Sequence, residues 1–207
     1  MHDYSIDNHP KEKILFVLAF LAISLAPILN SIVQNILKTL GASAGWSFAP
    51  IAAIPVFGLF GFLYWIFNKY LWRISMLRTF LLVPDLNGKW AVEGTTTLKN
   101  GKEAEYNWNG VFTITQSWSK ILIHLRASQS ASKSVSASIH LEDSVGYRLL
   151  YHYENEPTAD QPQLKKHAGS AELLFDLEGL TADGHYYTDQ HRNTVGIMKL
   201  KRSKNDN

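Results

Sequence analysis

The chain has 207 residues, 46% of them hydrophobic, a formal net charge of +2 and no cysteine. That composition excludes a disordered chain and a disulfide-stapled secreted scaffold, and it bounds the molecule to one or two domains. No acidic residue lies between Glu12 and Asp85, so the chain divides into two chemically different halves.

The first thirteen residues read as a polar N-terminal tail. Residues 14–33 (ILFVLAFLAISLAPILNSIV) and 48–67 (FAPIAAIPVFGLFGFLYWIF) each run twenty positions without a charge. A helix rises about 1.5 Å per residue, so roughly 20 residues cross the ~30 Å apolar core of a bilayer. Two such stretches, apolar on every face and joined by a short loop, predict a transmembrane hairpin rather than buried helices of a soluble core. A cleavable signal peptide does not fit, because the first run exceeds a signal core and a second span follows at once. Lys11 and Lys13 precede the first span and Lys69, Arg73 and Arg78 follow the second, against Lys38 alone in the loop 34–47. The positive-inside bias therefore predicts a multi-pass membrane protein with both ends in the cytoplasm. Trp46, Tyr64, Trp65, Tyr70 and Trp72 stand where interfacial anchors belong, and Ala52, Ala53, Gly58 and Gly61 offer small surfaces for helix contact. Residues 74–83 (ISMLRTFLLV) continue as a stalk, so that spans and stalk together occupy 14–83, and Pro84 ends the stalk.

From residue 84 onward the pattern changes to short runs of β-formers separated by turn residues such as Asn100-Gly101. The candidates are 89–98, 105–118, 120–128, 134–142, 146–154, 170–179, 183–190 and 194–203. Eight strands with no helix between them predict an all-β domain over 84–207, an eight-stranded antiparallel up-and-down barrel or a small sandwich. Eight strands close around an interior just wide enough for side chains or one small ligand. Alternation turns Phe112, Ile114 and Trp118 to one face, with Ile121, Ile123 and Leu125, Leu149, Tyr151 and Tyr153, and Leu173, Phe175 and Leu177 on the matching faces of later strands. These predict the core.

Residues 128–138 (SQSASKSVSAS) place a serine at every second position. Ser134, Ser136 and Ser138 run directly into Ile139 and Leu141 and read as a strand with its hydroxyls on one face, while Ser128, Ser130 and Ser132 read as its approach. Such a row can line a polar ligand or face solvent, and the sequence leaves both open.

The barrel half carries fourteen Lys and Arg against fifteen Asp and Glu, which excludes the clustered positive charge of a nucleic-acid polymer binder. There is no GxSxG, HExxH, Walker or GxGxxG motif, and the histidines are scattered, so neither a catalytic residue set nor a metal or cofactor is expected. What remains is GHYYTDQHRNTVG, 184–196, where aromatic faces can stack a base and an arginine fork can hold a phosphate. Arg192 is the first candidate phosphate ligand and Arg126 the second; a solvent-exposed turn is the other reading of Arg192.

These words, PDLNGKW (84–90), ITQSWSKILIHL (114–125), the serine row, LLYHYENEP (149–157), KHAGSAEL (166–173) and GHYYTDQHRNTVG, follow two membrane spans in an order that resembles one family. The chain is similar to the two-transmembrane β-barrel effectors of CBASS, bacterial anti-phage systems in which a cGAS/DncV-like nucleotidyltransferase (CD-NTase) makes a cyclic oligonucleotide signal. The resemblance covers nearly the whole chain. It implies a minimal lipocalin-like barrel on the cytoplasmic side that binds a cyclic dinucleotide. It also implies ligand-driven self-association through the membrane segments, inner-membrane disruption and abortive infection, without enzymatic activity. Carried onto matched words, the implied ligand contacts are Tyr151, Tyr187, Thr188 and Arg192, with Trp118, Ser134 and Ser136 behind them. A membrane-anchored carrier of apolar ligands is the competing reading of such a barrel.

Overall fold

The computed structural model describes residues 1–7, 9–39, 53–98, 106–142, 144–159, 165–190 and 192–203. They divide into two compact units, a helical one over His9–Leu77 and a β unit combining Met1–Asn8 with Arg78–Asn207.

In the helical unit, α1 spans Lys11–Thr39 with Pro27 inside it, and α2 spans Ala53–Lys69. The stretch Lys11–Ile36 contains an 18-residue window with a mean hydropathy of 2.3, long and apolar enough to cross a membrane. Residues 48–52 of the second expected span, with Trp46 and Ala52, lie outside the described residues. The two helices pack together. On α1 the buried positions are Leu18, Ala22 and Ala26, a stripe of one-turn spacing, while Phe16, Phe20, Ile23 and Ile28 are exposed. An all-round apolar helix that buries one narrow stripe, alanine at two of its three positions, is what a lipid environment selects. Within the chain no described residue packs on Gly58 or Gly61: a Cβ at either would meet nothing within 4 Å. At the end of α2, Lys69 lies over the rings of Trp65 and Tyr70, 5.6 and 5.1 Å from their centroids, the composition of an interfacial belt. Trp72, in the 3-10 turn Leu71–Arg73, is instead buried. The expected stalk is partly a short helix, α3, Ser75–Leu81.

Among the described residues the β unit is a closed ring of nine strands, not eight. All eight expected segments are strands: β2 (Gly88–Leu98), β3 (Tyr106–Gln116), β4 (Lys120–Ala127), β5 (Ser130–Glu142), β6 (Gly146–Pro157), β7 (His167–Phe175), β8 (Thr181–Thr188) and β9 (Thr194–Arg202). Successive strands pair antiparallel, and β9 pairs back onto β2. The ninth is β1, His2–Ile6, where the sequence suggested a tail. Strands β4 and β5 pair only over His124–Arg126 and Ala131–Lys133 and then separate. Into that gap β1 inserts, antiparallel to β4 at His2 and Asp3 and parallel to β5 from Tyr4 to Ile6. The point of separation is chemically marked. Ser134 Oγ accepts the backbone N–H of Ile123 at 2.9 Å and is hydrogen bonded to His2 Nε2 at 2.7 Å, so a side chain replaces the ladder bond.

One end of the ring is filled. Trp90, Phe112, Phe175, Ile121, Ile139 and Leu149 are fully buried there, with Trp90 edge-on to Phe175 at 5.0 Å and its Nε1 donating to Leu86 O at 3.2 Å. Both chain connections leave from this end, through Asp7 after β1 and through Pro84 before β2. Gln116 ties them together. Its buried amide donates to Tyr4 OH (3.0 Å) and Pro84 O (3.1 Å) and accepts from Leu86 N–H (2.9 Å). Gln116→Met retains the volume but removes the partner of the Leu86 N–H and of Pro84 O, each worth about 1–3 kcal/mol, while Tyr4 OH keeps its bond to Ser117 O. The expected outcome is a loss of roughly 3 kcal/mol in stability, read as a lowered unfolding midpoint of the full chain by fluorescence-monitored melting; an unchanged midpoint would refute the tie.

Candidate functional site

The opposite end of the ring is hollow. Inward positions near the turns that follow β2, β4, β6 and β8 enclose an open-mouthed pocket; the space between its walls, open solvent at the mouth included, is about 730 Å³. Its walls are Tyr106 and Trp108 from β3, Leu125 and Ala127 from β4, and Ser130 and Ser132 from β5. Tyr151, Tyr153 and Asn155 from β6, His167 from β7, Tyr186 and Thr188 from β8, and Arg192 from the β8–β9 turn complete them.

The hollow is made by three cross-strand pairs. Trp108 is paired with Gly94, Tyr153 with Gly169 and Tyr186 with Gly196. A Cβ at Gly94 would lie 2.2 Å from the Trp108 indole, one at Gly169 2.4 Å from the Tyr153 hydroxyl, and one at Gly196 2.5 Å from the Tyr186 ring. Each ring therefore lies down on the bare backbone of its neighbour, along the wall instead of across the lumen.

Polar groups then point inward with defined partners. Trp108 Nε1 donates to Thr96 Oγ1 at 3.0 Å, and Thr96 shares a short hydrogen bond with Tyr186 OH. Arg192 Nη2 donates to Tyr106 OH at 3.0 Å, placing the guanidinium at the mouth. The turn that carries Arg192 is shaped by Asp189, whose carboxylate accepts from Ala168 N–H at 2.9 Å and whose backbone carbonyl accepts from Asn193 N–H at 2.8 Å. Thr188 and Thr194 close the same turn with a hydroxyl contact of 3.0 Å. Burial raises the Tyr151, Tyr153 and Tyr186 phenols above the ordinary range, so they remain neutral hydrogen-bonding groups at physiological pH. Burial lowers the His167 imidazole against the opposing pull of its bond to Lys165 O, which keeps it neutral. Among the described residues lining the pocket, Arg192 is the formal cation.

Of the residues singled out from sequence, the structure brings Arg192, Thr188 and Tyr151 together here. The others lie elsewhere. Trp118 is buried in the β3–β4 turn at the filled end. Arg126 is exposed on the outer face between the inward Leu125 and Ala127. Ser134 points inward but is spent on the β4–β5 opening. Ser136 and Tyr187, the latter 49% exposed, border a shallow groove on the outside of the ring. A bulge between Ser134 and Ser136 splits the serine row, so the second half of the row turns outward while Ser130 and Ser132, expected in the approach, belong to the strand and face the pocket. Leu177, expected in the core, is 56% exposed because β7 ends at Phe175. Sequence reasoning missed Tyr106, Trp108, Asn155, His167 and Tyr186; the glycine opposite an aromatic was the readable signal for Trp108 and Tyr186, once register is known. His191 lies outside the described residues.

Comparison with known proteins agrees with this division of the chain. A family model described as Cap15, cyclic dinucleotide receptor domain, matches residues 81–202, and one described as Cap15, TM helices, matches 12–73. The chain is 42% identical over 145 residues to CD-NTase-associated protein 15 of Yersinia aleksiciae, covering 70% of this chain and 68% of that relative. A solved structure of a DUF3598-family protein of unknown function from Nostoc punctiforme matches 58% of this chain and 50% of its own at 6% identity, with a TM-score of 0.34, too distant to bear on the fold. With both halves matched in order by its two models, the chain belongs to the Cap15 family of CD-NTase-associated proteins, built from a cyclic dinucleotide receptor domain and membrane helices.

Proposed function

We propose that this chain is a ligand-gated membrane effector of CBASS. A cyclic dinucleotide made by a partner CD-NTase enters the hollow end of the ring, and occupancy drives self-association of the helices and disruption of the inner membrane. The observation that carries this reading is the composition of the hollow: phenols and an indole for base stacking, Ser130, Ser132 and Asn155 for hydrogen bonding, and Arg192 at the mouth for a phosphate. A carrier of apolar ligands would line the same space with aliphatic side chains, which disfavours that alternative. The role assigned to the residues is binding and not catalysis.

Topology supports a cytoplasmic barrel on a two-span hairpin. Strand β1 precedes α1 yet sits inside the same ring as β2–β9, which follow α2. The N-terminus and the receptor domain are therefore on one side of any membrane the chain crosses, which requires an even number of crossings. The cationic residues flanking the helices favour the cytoplasmic side.

A route for coupling also follows. Leu125, Ala127, Ser130 and Ser132 belong to the two strands whose short paired segment forms part of the pocket wall, and the gap below that segment holds β1, which leads into α1. Ligand that tightens or spreads β4 and β5 acts on β1. It can change assembly only to the extent that it binds the assembly-competent state more tightly.

The test is dye release from sealed anionic vesicles carrying the full chain. Release is expected on addition of at least one member of a panel of cyclic dinucleotides and not without it; vesicles that stay sealed with every member would overturn the proposal. Arg192→Ala is expected to weaken binding by about tenfold to a hundredfold, the loss of a charge-assisted hydrogen bond, measured by calorimetry on the detergent-solubilised chain. Ser134→Ala removes the hydroxyl at the β4–β5 opening and is expected to leave affinity within about threefold while lowering release; equal loss of both would refute the coupling route.

A further inference from the structure

The pocket holds two acceptors that the protein itself does not use. Asn155 is 8% exposed; its Nδ2 donates to Ser130 Oγ at 3.1 Å, and its Oδ1 is buried without a hydrogen-bond partner among the described residues. An unpaired amide oxygen at that depth is costly unless something else supplies a donor. Directly across the β6–β7 ladder is His167, also 8% exposed. Its Nδ1 lies 3.2 Å from Lys165 O, and a carbonyl only accepts, so Nδ1 carries the proton. In the neutral ring, which burial favours, Nε2 must then be an acceptor.

Cross-strand partners on one face stand about 5 Å apart at Cβ. Two acceptors on neighbouring strands call for two hydrogens, and one nitrogen carrying both is the smallest group that supplies them. Among nucleobase edges only an exocyclic amino group has that form. A ring imino N–H brings one hydrogen, and a carbonyl placed there would face two lone pairs, so the pair both attracts the amino edge and repels the carbonyl one.

The geometry points to Asn155 and His167 as the base-reading pair of the pocket, an acceptor couple that selects a cyclic dinucleotide carrying an amino-bearing base over its carbonyl counterpart. This inference rests on the proposed receptor function and adds which part of the ligand is read and by which residues. Discrimination built on buried hydrogen-bonding groups is typically strong, because the wrong ligand leaves them unpaired.

The experiment is titration calorimetry of the detergent-solubilised full chain with two matched pairs: cyclic di-AMP against cyclic di-IMP, and cyclic di-CMP against cyclic di-UMP. The amino-bearing member of at least one pair is expected to bind about tenfold to a hundredfold more tightly than its carbonyl partner. Asn155→Leu and His167→Phe, each with a melting curve to establish folding, are expected to reduce that ratio to below about threefold by weakening the amino-bearing ligand selectively. Binding without preference, or preference for the carbonyl members, overturns the base-reading pair and leaves the receptor function standing. Folded variants that weaken both members of a pair equally assign the two residues a structural role only and also overturn it. No binding of any of the four in a protein that also ignores cyclic di-GMP and mixed cyclic dinucleotides refutes the receptor function itself.

Discussion

Three aromatic rings that lie on three glycines decide what this barrel is for. A nine-stranded ring of this size can be filled by its own side chains, and at the end holding Trp90, Phe112 and Phe175 it is. At the other end large inward residues are present too, but Gly94, Gly169 and Gly196 let Trp108, Tyr153 and Tyr186 rest against the wall. The same apolar mass that would otherwise form core becomes the lining of a cavity. Glycine in a strand costs backbone entropy and packing, and here that cost coincides with the three positions where a side chain would push a ring into the ligand space.

Separation of a rigid end from a receptive end gives the chain its logic. Both connections toward the helices are anchored at the filled end, where the Gln116 amide binds Tyr4 of β1, Pro84 and Leu86 into one buried cluster. The strand between the short β4–β5 pairing and that cluster is β1, held in a gap that β4 and β5 leave open. A strand that completes a ring by filling a gap has fewer partners to lose than one in a continuous ladder. It is the shortest strand of the ring, and it is followed in the chain by α1.

The broad design was legible in the sequence. Uncharged runs gave the helices, alternation gave the eight strands and the inward faces of β3, β4, β6 and β7, and the order of words behind two spans gave the family. What escaped was local. His2–Ile6 is five residues long, and its partners lie more than a hundred positions away, so no periodicity announces it. The serine row broke at a bulge, which shifts parity by one and sends Ser136 to the opposite face from Ser134. Trp108 and Tyr186 are inward aromatics like any core residue; only the register that sets a glycine beside each shows that they line a hollow. Asn155 and His167 are adjacent across β6 and β7 though twelve positions apart in the chain, a relation that strand pairing creates and composition does not.

The central claim is that a nucleotide in the hollow end alters the hold of the ring on β1. Hydrogen–deuterium exchange of the full chain in lipid nanodiscs, with and without saturating cyclic dinucleotide, reads both halves of it at once. The account predicts slower exchange around 106–108, 130–132 and 186–194, together with a changed exchange rate at residues 2–6. Saturation of the pocket with residues 2–6 exchanging as before would contradict it.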